Sequence, residues 1–159
     1  NQMRLAKAAA ELGRHQEAER LYAEAATGVH ADDPALLLGR AQSLIEMDRP
    51  QEALDWLDAI PADAEGHAPV VQLARARALE GVGRRPEAEA AYQDAVGRFP
   101  GLEAVARHTA FLARCGRLPE ARELLAEINR RVHGANAAFR KEGRGWRDLA
   151  AKAVREAAG

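Results

Sequence analysis

One short pattern occurs four times and leaves little choice of fold. It is an apolar residue, then Gly or Asp, then three residues, then Glu-Ala. It reads LGRHQEA at 12–18, MDRPQEA at 47–53, VGRRPEA at 82–88 and CGRLPEA at 115–121, with starts 35, 35 and 33 residues apart. Further columns keep the same register. Four residues after the alanine stand Tyr22, Leu57, Tyr92 and Leu125, and three further on Ala25, Ile60, Ala95 and Ile128. Twelve residues before it stand Ala6, Ala41, Ala76 and Thr109. A repeat of this length is one supersecondary unit that cannot bury its own apolar face, so neighbours must stack to share a continuous core.

Each column has a physical reason. Gly13, Gly83 and Gly116 stand where a first helix must stop, because glycine takes the left-handed conformation at low cost. Ala18, Ala53, Ala88 and Ala121 stand where the two helices of a hairpin approach, and a larger side chain there would part them. Tyr22 and Tyr92 fill the wedge between successive hairpins. Aromatics make up only 4% of the chain, so the core is mostly alanine, leucine and valine, which demands close backbones. Asp33-Pro34 reads as an N-cap followed by a first-turn proline. These signals predict helices over 2–12, 15–27, 34–46, 50–60, 67–81, 85–97, 101–114 and 118–132.

The closing segment breaks the pattern. Asn136 reads as an N-cap, and Phe139, Trp146, Leu149, Ala150, Ala153, Val154 and Ala157 then share one helical face. That favours one helix over 137–157, which would cap the apolar end of the stack and press Phe139 and Trp146 onto the fourth repeat. Gly143 and Gly145 each cost about 1 kcal/mol in a helix relative to alanine, so a break between them is the rival reading.

The columns resemble the tetratricopeptide repeat family, whose 34-residue pattern has a small residue in helix A and a turn glycine. In helix B it has an alanine, an aromatic four later, an alanine three later, then proline. Ala76, Gly83, Ala88, Tyr92, Ala95 and Pro100 fit that pattern throughout. The second repeat departs from it with Asp48 at the turn and an early Pro61, the first carries extra residues before Pro34, and the family's helix A tryptophan is missing from all four. The resemblance implies an all-α, right-handed α-solenoid of four helical hairpins plus a C-terminal capping helix. It implies a single domain over 1–159, with repeats near 1–33, 34–66, 67–100 and 101–133 and a cap near 136–158.

Catalytic chemistry has no foothold in the sequence, and neither a cofactor nor a metal is expected. No two of His15, His30, His67, His108 and His133 stand three or four apart on one predicted helix, so the usual helical metal pair is missing. His30 with Asp32 and Asp33 reads as a polar loop ending in a helix cap. Cys115 falls in the apolar column of Leu12, Met47 and Val82, and reads as a buried, inert thiol. As the sole cysteine it permits no internal disulfide and suits a reducing compartment. The Gly81–Gly83 pair lacks the Lys-Ser/Thr of a phosphate loop.

The resemblance therefore implies binding. In the family, the first helices of the hairpins line a concave face. Family geometry places Met3, Leu38, Leu73 and Ala106 there, then Lys7, Gln42, Arg77 and Ala110, then Ala10, Ile45, Glu80 and Ala113, bordered by Glu11, Glu46 and Arg114. The candidate peptide-binding groove is Met3, Lys7, Leu38, Gln42, Ile45, Leu73, Arg77, Glu80 and Arg114, mixed apolar and polar, suited to an extended peptide or an amphipathic helix. The alternative is that Met3, Leu38 and Leu73 are partly core and the charges merely solvated. Family members that grip a chaperone's C-terminal carboxylate carry Lys and Asn four apart in the first helix. Met3/Lys7, Leu38/Gln42 and Leu73/Arg77 do not make that clamp.

Net charge is −1, which offers no overall basic field for nucleic acid. The charge is nonetheless uneven. Residues 129–159 hold eight Lys or Arg and three acids, a net of +5, leaving −6 for the rest. A basic end could face anionic lipid or an acidic partner, or be the solvated outer face of the cap. The phrases TGVHADDPALLLGRAQSLIEMDRPQEAL and FRKEGRGWRDLAAKAVREAA resemble a group of bacterial tetratricopeptide proteins whose repeats follow two membrane helices like those that begin cardiolipin synthases. That resemblance implies a cytoplasmic repeat domain on the inner membrane, anchored by a segment before Asn1. No apolar run in the chain approaches the roughly 20 residues of a span, and no segment reads as a signal peptide. Two functions follow as expectations: a protein- or peptide-binding scaffold, or a self-assembly module that forms homo-oligomers.

Overall fold

The architecture is that of a computed structural model, which describes residues 1–61, 63 and 65–159. Among the described residues the chain is helical throughout, with no strand. The helices are α1 (Gln2–Glu11), α2 (His15–Ala25), α3 (Pro34–Glu46), α4 (Pro50–Asp58), α5 (Pro69–Gly81), α6 (Arg85–Arg98), α7 (Glu103–Arg114), α8 (Leu118–His133) and α9 (Ala137–Ala158). A 3₁₀ turn, Gly28–His30, takes up the extra residues of the first repeat. The chain divides into two compact units, Asn1–Ala91 and Tyr92–Gly159.

The turn column behaves as glycine chemistry requires. Gly13, Gly83 and Gly116 have φ of 77°, 84° and 79°, and Asp48 enters the same left-handed region at 58°. Asp48 is the one non-glycine residue with positive φ among the described residues, and an aspartate tolerates this better than most side chains. At each turn the backbone N–H of the next residue reaches back into the finished helix, as Arg14 does to the Ala9 carbonyl and Arg49 to that of Leu44, both at 2.9 Å.

In the first unit α1 packs on α2, α2 on α3, α3 on α4 and α4 on α5, while α3 also touches α1 and α5. Ala6, Ala18, Ala41, Ala53, Ala76 and Ala88 are all 0% exposed, so the two small-residue columns lie inside this unit without exception. Tyr22 of α2 lies across Gly39 of α3, where an added Cβ would come within 2.4 Å of the ring. Interhelical pairs bind the layers. Arg40 of α3 joins Glu19 of α2 and lies 3.9 Å over the Trp56 ring of α4. Arg75 of α5 pairs with Asp58 and donates to the Leu57 carbonyl at the end of α4, which helps satisfy that helix terminus. Arg77 of α5 meets Glu46 of α3 at 2.7 Å.

The second unit holds the end of α6 with α7, α8 and α9, the last three each in contact with the other two. Leu102, Val105, Ala106, Ile128, Val132 and Ala150 form its core, and Phe139 and Trp146 pack against them. Tyr92, 0% exposed, faces Phe111 and His108 with ring centroids 5.0 and 6.0 Å away. Thr109 occupies the alanine column because its hydroxyl donates to the Val105 carbonyl one turn back, at 2.8 Å, and so is buried satisfied.

The last helix runs unbroken through Gly143 and Gly145. Asn136 caps it by accepting from the Phe139 N–H at 2.9 Å. Gly143 is a packing residue, since a Cβ there would meet Leu102 at 3.0 Å and Val132 at 3.2 Å. Of the face expected to be apolar and covered, Ala150 and Val154 are buried and Phe139, Trp146, Leu149 and Ala153 half-buried. Ala157 is exposed, because it sits in the last turn before the chain leaves the helix.

Candidate peptide-binding face

In the first unit the first helices of successive hairpins are neighbours, α1 beside α3 and α3 beside α5. The residues they carry divide by exposure. Lys7 is exposed, and Met3, Leu38, Gln42, Ile45, Arg77 and Glu80 are half-buried, so all seven present some surface. Met3 shares itself with the core, packing against the cluster of Ala6, Ala9, Ala18, Tyr22 and Leu36. Leu73 is different. At 2% exposure it offers almost no surface, because α5 is buried on several sides at once, through Val71, Ala74, Ala76, Ala78 and Leu79 as well. Ala106, Ala110 and Ala113 of α7 are likewise no more than 1% exposed. Arg114, exposed at the end of α7, belongs to the second unit.

Chemically the face is a mixed surface. Arg77 spends part of its charge on Glu46, whose side chain stays 40% exposed. The Tyr22 hydroxyl, behind this layer, is held above its ordinary pKa by burial and then by Glu11. Among the described residues no group of three or more His, Cys, Asp or Glu is disposed to hold a metal ion.

Cys115 departs from its expected setting. It is half-buried, not buried, and caps the C-terminus of α7. Its column is a helix-exit position that need not be covered, as Leu12, 69% exposed, makes plain. His15 presents a buried Nδ1 with no hydrogen-bond partner, although the residue as a whole is half-buried.

One repeated feature escaped the sequence reading. An arginine precedes the glutamate by three residues in all four turns, and the two side chains pair every time. The pairs are Arg14–Glu17 at 4.0 Å, Arg49–Glu52, Arg84–Glu87, and Arg117–Glu120 at 2.7 Å. Hydrogen bonds from the arginines hold the carboxyls of Glu52, Glu87 and Glu120 below the ordinary glutamate range. The signal was legible as R-x-x-E inside each repeated phrase. It clasps the turn and the first turn of the second helix.

No curated protein matches the chain at significant similarity. Two tetratricopeptide repeat family models do match, one over residues 9–78 and another over 69–94 and 104–127. Together they run from the last residues of α1 into α8, and they leave α9 outside. They carry the repeat family alone, and the narrower likeness to membrane-anchored bacterial members rests on the two sequence phrases.

Proposed function

The chain belongs to the tetratricopeptide repeat family, and we propose that it is a protein- or peptide-binding scaffold that presents the α1/α3/α5 face to its partner and performs no catalysis of its own. Repeats of this family generally mediate protein–protein interaction, which supports the class. The observation that carries the choice of face is the set of half-buried side chains, Met3, Leu38, Gln42, Ile45, Arg77 and Glu80, set on neighbouring helices. Such side chains are ordered by their own packing yet retain surface, so a ligand gains many small contacts without ordering them first. With Lys7 beside them they offer apolar area, amide and charge of both signs, which suits an extended or amphipathic segment. Arg114 and Leu73 drop to the margin of this reading, the first as a residue of the second unit and the second for want of exposure.

Site-specific photo-crosslinking tests it. A benzophenone side chain at Lys7 or Gln42 should yield a discrete adduct in cells, and the same group at Gln51, exposed on α4, should yield none. Adducts from Gln51 with none from Lys7 or Gln42 would overturn the choice of face. No helix among the described residues is long and apolar enough to cross a membrane. Anchoring through a segment before Asn1, at the cytoplasmic side of an inner membrane, remains part of the proposal.

A further inference from the structure

A second surface lies wholly within the second unit, independent of the face above. The last turns of α8 and the first half of α9 enclose an open cleft of about 490 Å³. Arg130 and His133 stand on one side, Arg140, Arg144 and Arg147 on the other, with Val132 contributing to the lining. We infer that this cleft binds an acidic polypeptide segment in extended form, through carboxylates two residues apart.

The first ground is charge. Arg130 pairs with Glu127 and Arg147 with Asp148, but among the described residues neither Arg140 nor Arg144 has an acidic partner within ion-pair distance. Four arginines, with His133 among them, therefore line one concavity with two acids beside them. Fold stability does not explain this gathering. Basic residues in the last turn of α8 do complement its dipole, but Arg140 lies in the first turn of α9, where a cation is unfavourable. Helix electrostatics therefore do not account for a cation at Arg140.

The second ground is spacing. Arg140, Arg144 and Arg147 stand at i, i+4 and i+7, one helical stripe. At 1.5 Å of rise per residue, Arg140 and Arg144 are about 6 Å apart along the axis. Same-side residues of an extended chain repeat about every 6.6–6.8 Å. Two alternate carboxylates can thus reach two successive guanidinium groups. All the strong cations lining the cleft are arginine, whose planar fork matches a carboxylate at two points.

The third ground is shape. The volume lies in the range of ligand clefts. A bilayer surface is flat on this scale and matches a concave lining poorly. A nucleic acid strand would want a run of stacking rings for successive bases, and among the described residues the lining supplies the His133 imidazole alone, the Trp146 ring being faced by Arg107 at 5.1 Å.

The test uses the full chain and three variants. The probe is a fluorescein-labelled peptide of alternating Glu and Ser, read by anisotropy at low and high salt. Wild type should bind saturably, and more weakly as salt rises. Arg140→Glu/Arg144→Glu should weaken binding at least tenfold. Lys152→Glu/Arg155→Glu makes the same change in net charge on exposed positions of the same helix outside the cleft, and should stay within threefold. Arg140→Gln/Arg144→Gln, which is neutral and gentle on the fold, should fall between the two. Equal losses in the first two variants would reduce the effect to net charge and overturn the proposal. So would failure of wild type to bind the peptide while sedimenting with phosphatidylcholine vesicles that carry phosphatidylglycerol, which would assign the cleft to lipid. Self-association abolished by Arg140→Glu/Arg144→Glu, with no peptide binding by wild type, would assign it to a second copy and equally overturn it.

Discussion

Gly39 shows how tightly one residue can be specified by another on the next helix. A methyl group there would intrude on the Tyr22 ring, which has nowhere to go, being 5% exposed itself. Gly39→Ala should therefore destabilise the protein by about 1–3 kcal/mol even though alanine favours helix, and urea unfolding reads the change. A more stable variant would mean that the ring is not held. Ala88, 0% exposed, makes the same point for the repeat register. Ala88→Glu buries an unpaired charge and should cost about 3 kcal/mol or more, so a melting temperature within a degree or two of wild type would contradict the register. The turn glutamates give a pH dependence whose sign follows from their lowered pKa values. A carboxyl depressed in the folded state contributes stability above its unfolded value, about 4.3, and loses it as pH falls through the folded one. Melting temperature should thus decline on acidification below about pH 4. Arg49→Gln/Arg84→Gln/Arg117→Gln should make that decline shallower, by a small amount because the pairs are exposed, and an unchanged slope would count against them. The alanine and turn columns were legible in the sequence because each is a local requirement repeated four times. Gly39 was not, because its reason lies seventeen residues away in a tyrosine ring.

At the scale of elements, helix ends fell within two residues of where caps, prolines and glycines put them, because those signals act on the chain at the position where they stand. The Gly28–His30 turn had no such signal. The continuity of α9 was ambiguous for a definite reason. Two glycines weaken a helix by propensity, and only the approach of Leu102 and Val132 to Gly143 shows why one of them is there. The cap is accordingly part of the core it covers. Deleting residues 136–159 uncovers Leu102, Val105, Ile128 and Val132. The shortened chain should aggregate or melt at a lower temperature, measurable by light scattering alongside circular dichroism. A monomeric truncation with unchanged melting would show that α9 is an appendage. Gly143→Val should have a milder effect of the same sign, while Gly145, with nothing within 4 Å of an added Cβ, should accept alanine with a gain in stability.

For the molecule as a whole, the sequence discloses a class of work and stops short of the partner. Columns that build a stack repeat, so four copies reveal them. Residues that choose a ligand differ from repeat to repeat and leave no pattern to read. Lys7, Gln42 and Arg77 share a column and nothing else. The exposure of a groove residue depends on its neighbours, which is why Leu73 was expected on the surface and lies in the core. The clustering of basic residues near the C-terminus was visible as composition, but the cleft that gathers some of them exists only once α8 and α9 pack. The central claim is that partner specificity resides on the α1/α3/α5 face. It is tested most directly by titrating the partner captured at Lys7 or Gln42 against two variants at low and high salt. Lys7→Ala/Gln42→Ala/Arg77→Ala should weaken binding at least tenfold, and the loss should persist at high salt, where charges are screened within a few ångströms and apolar contacts remain. Arg140→Ala/Arg144→Ala/Arg147→Ala should change only a salt-sensitive part. Binding abolished by the second variant and untouched by the first would contradict the account and make the last helix the recognition element.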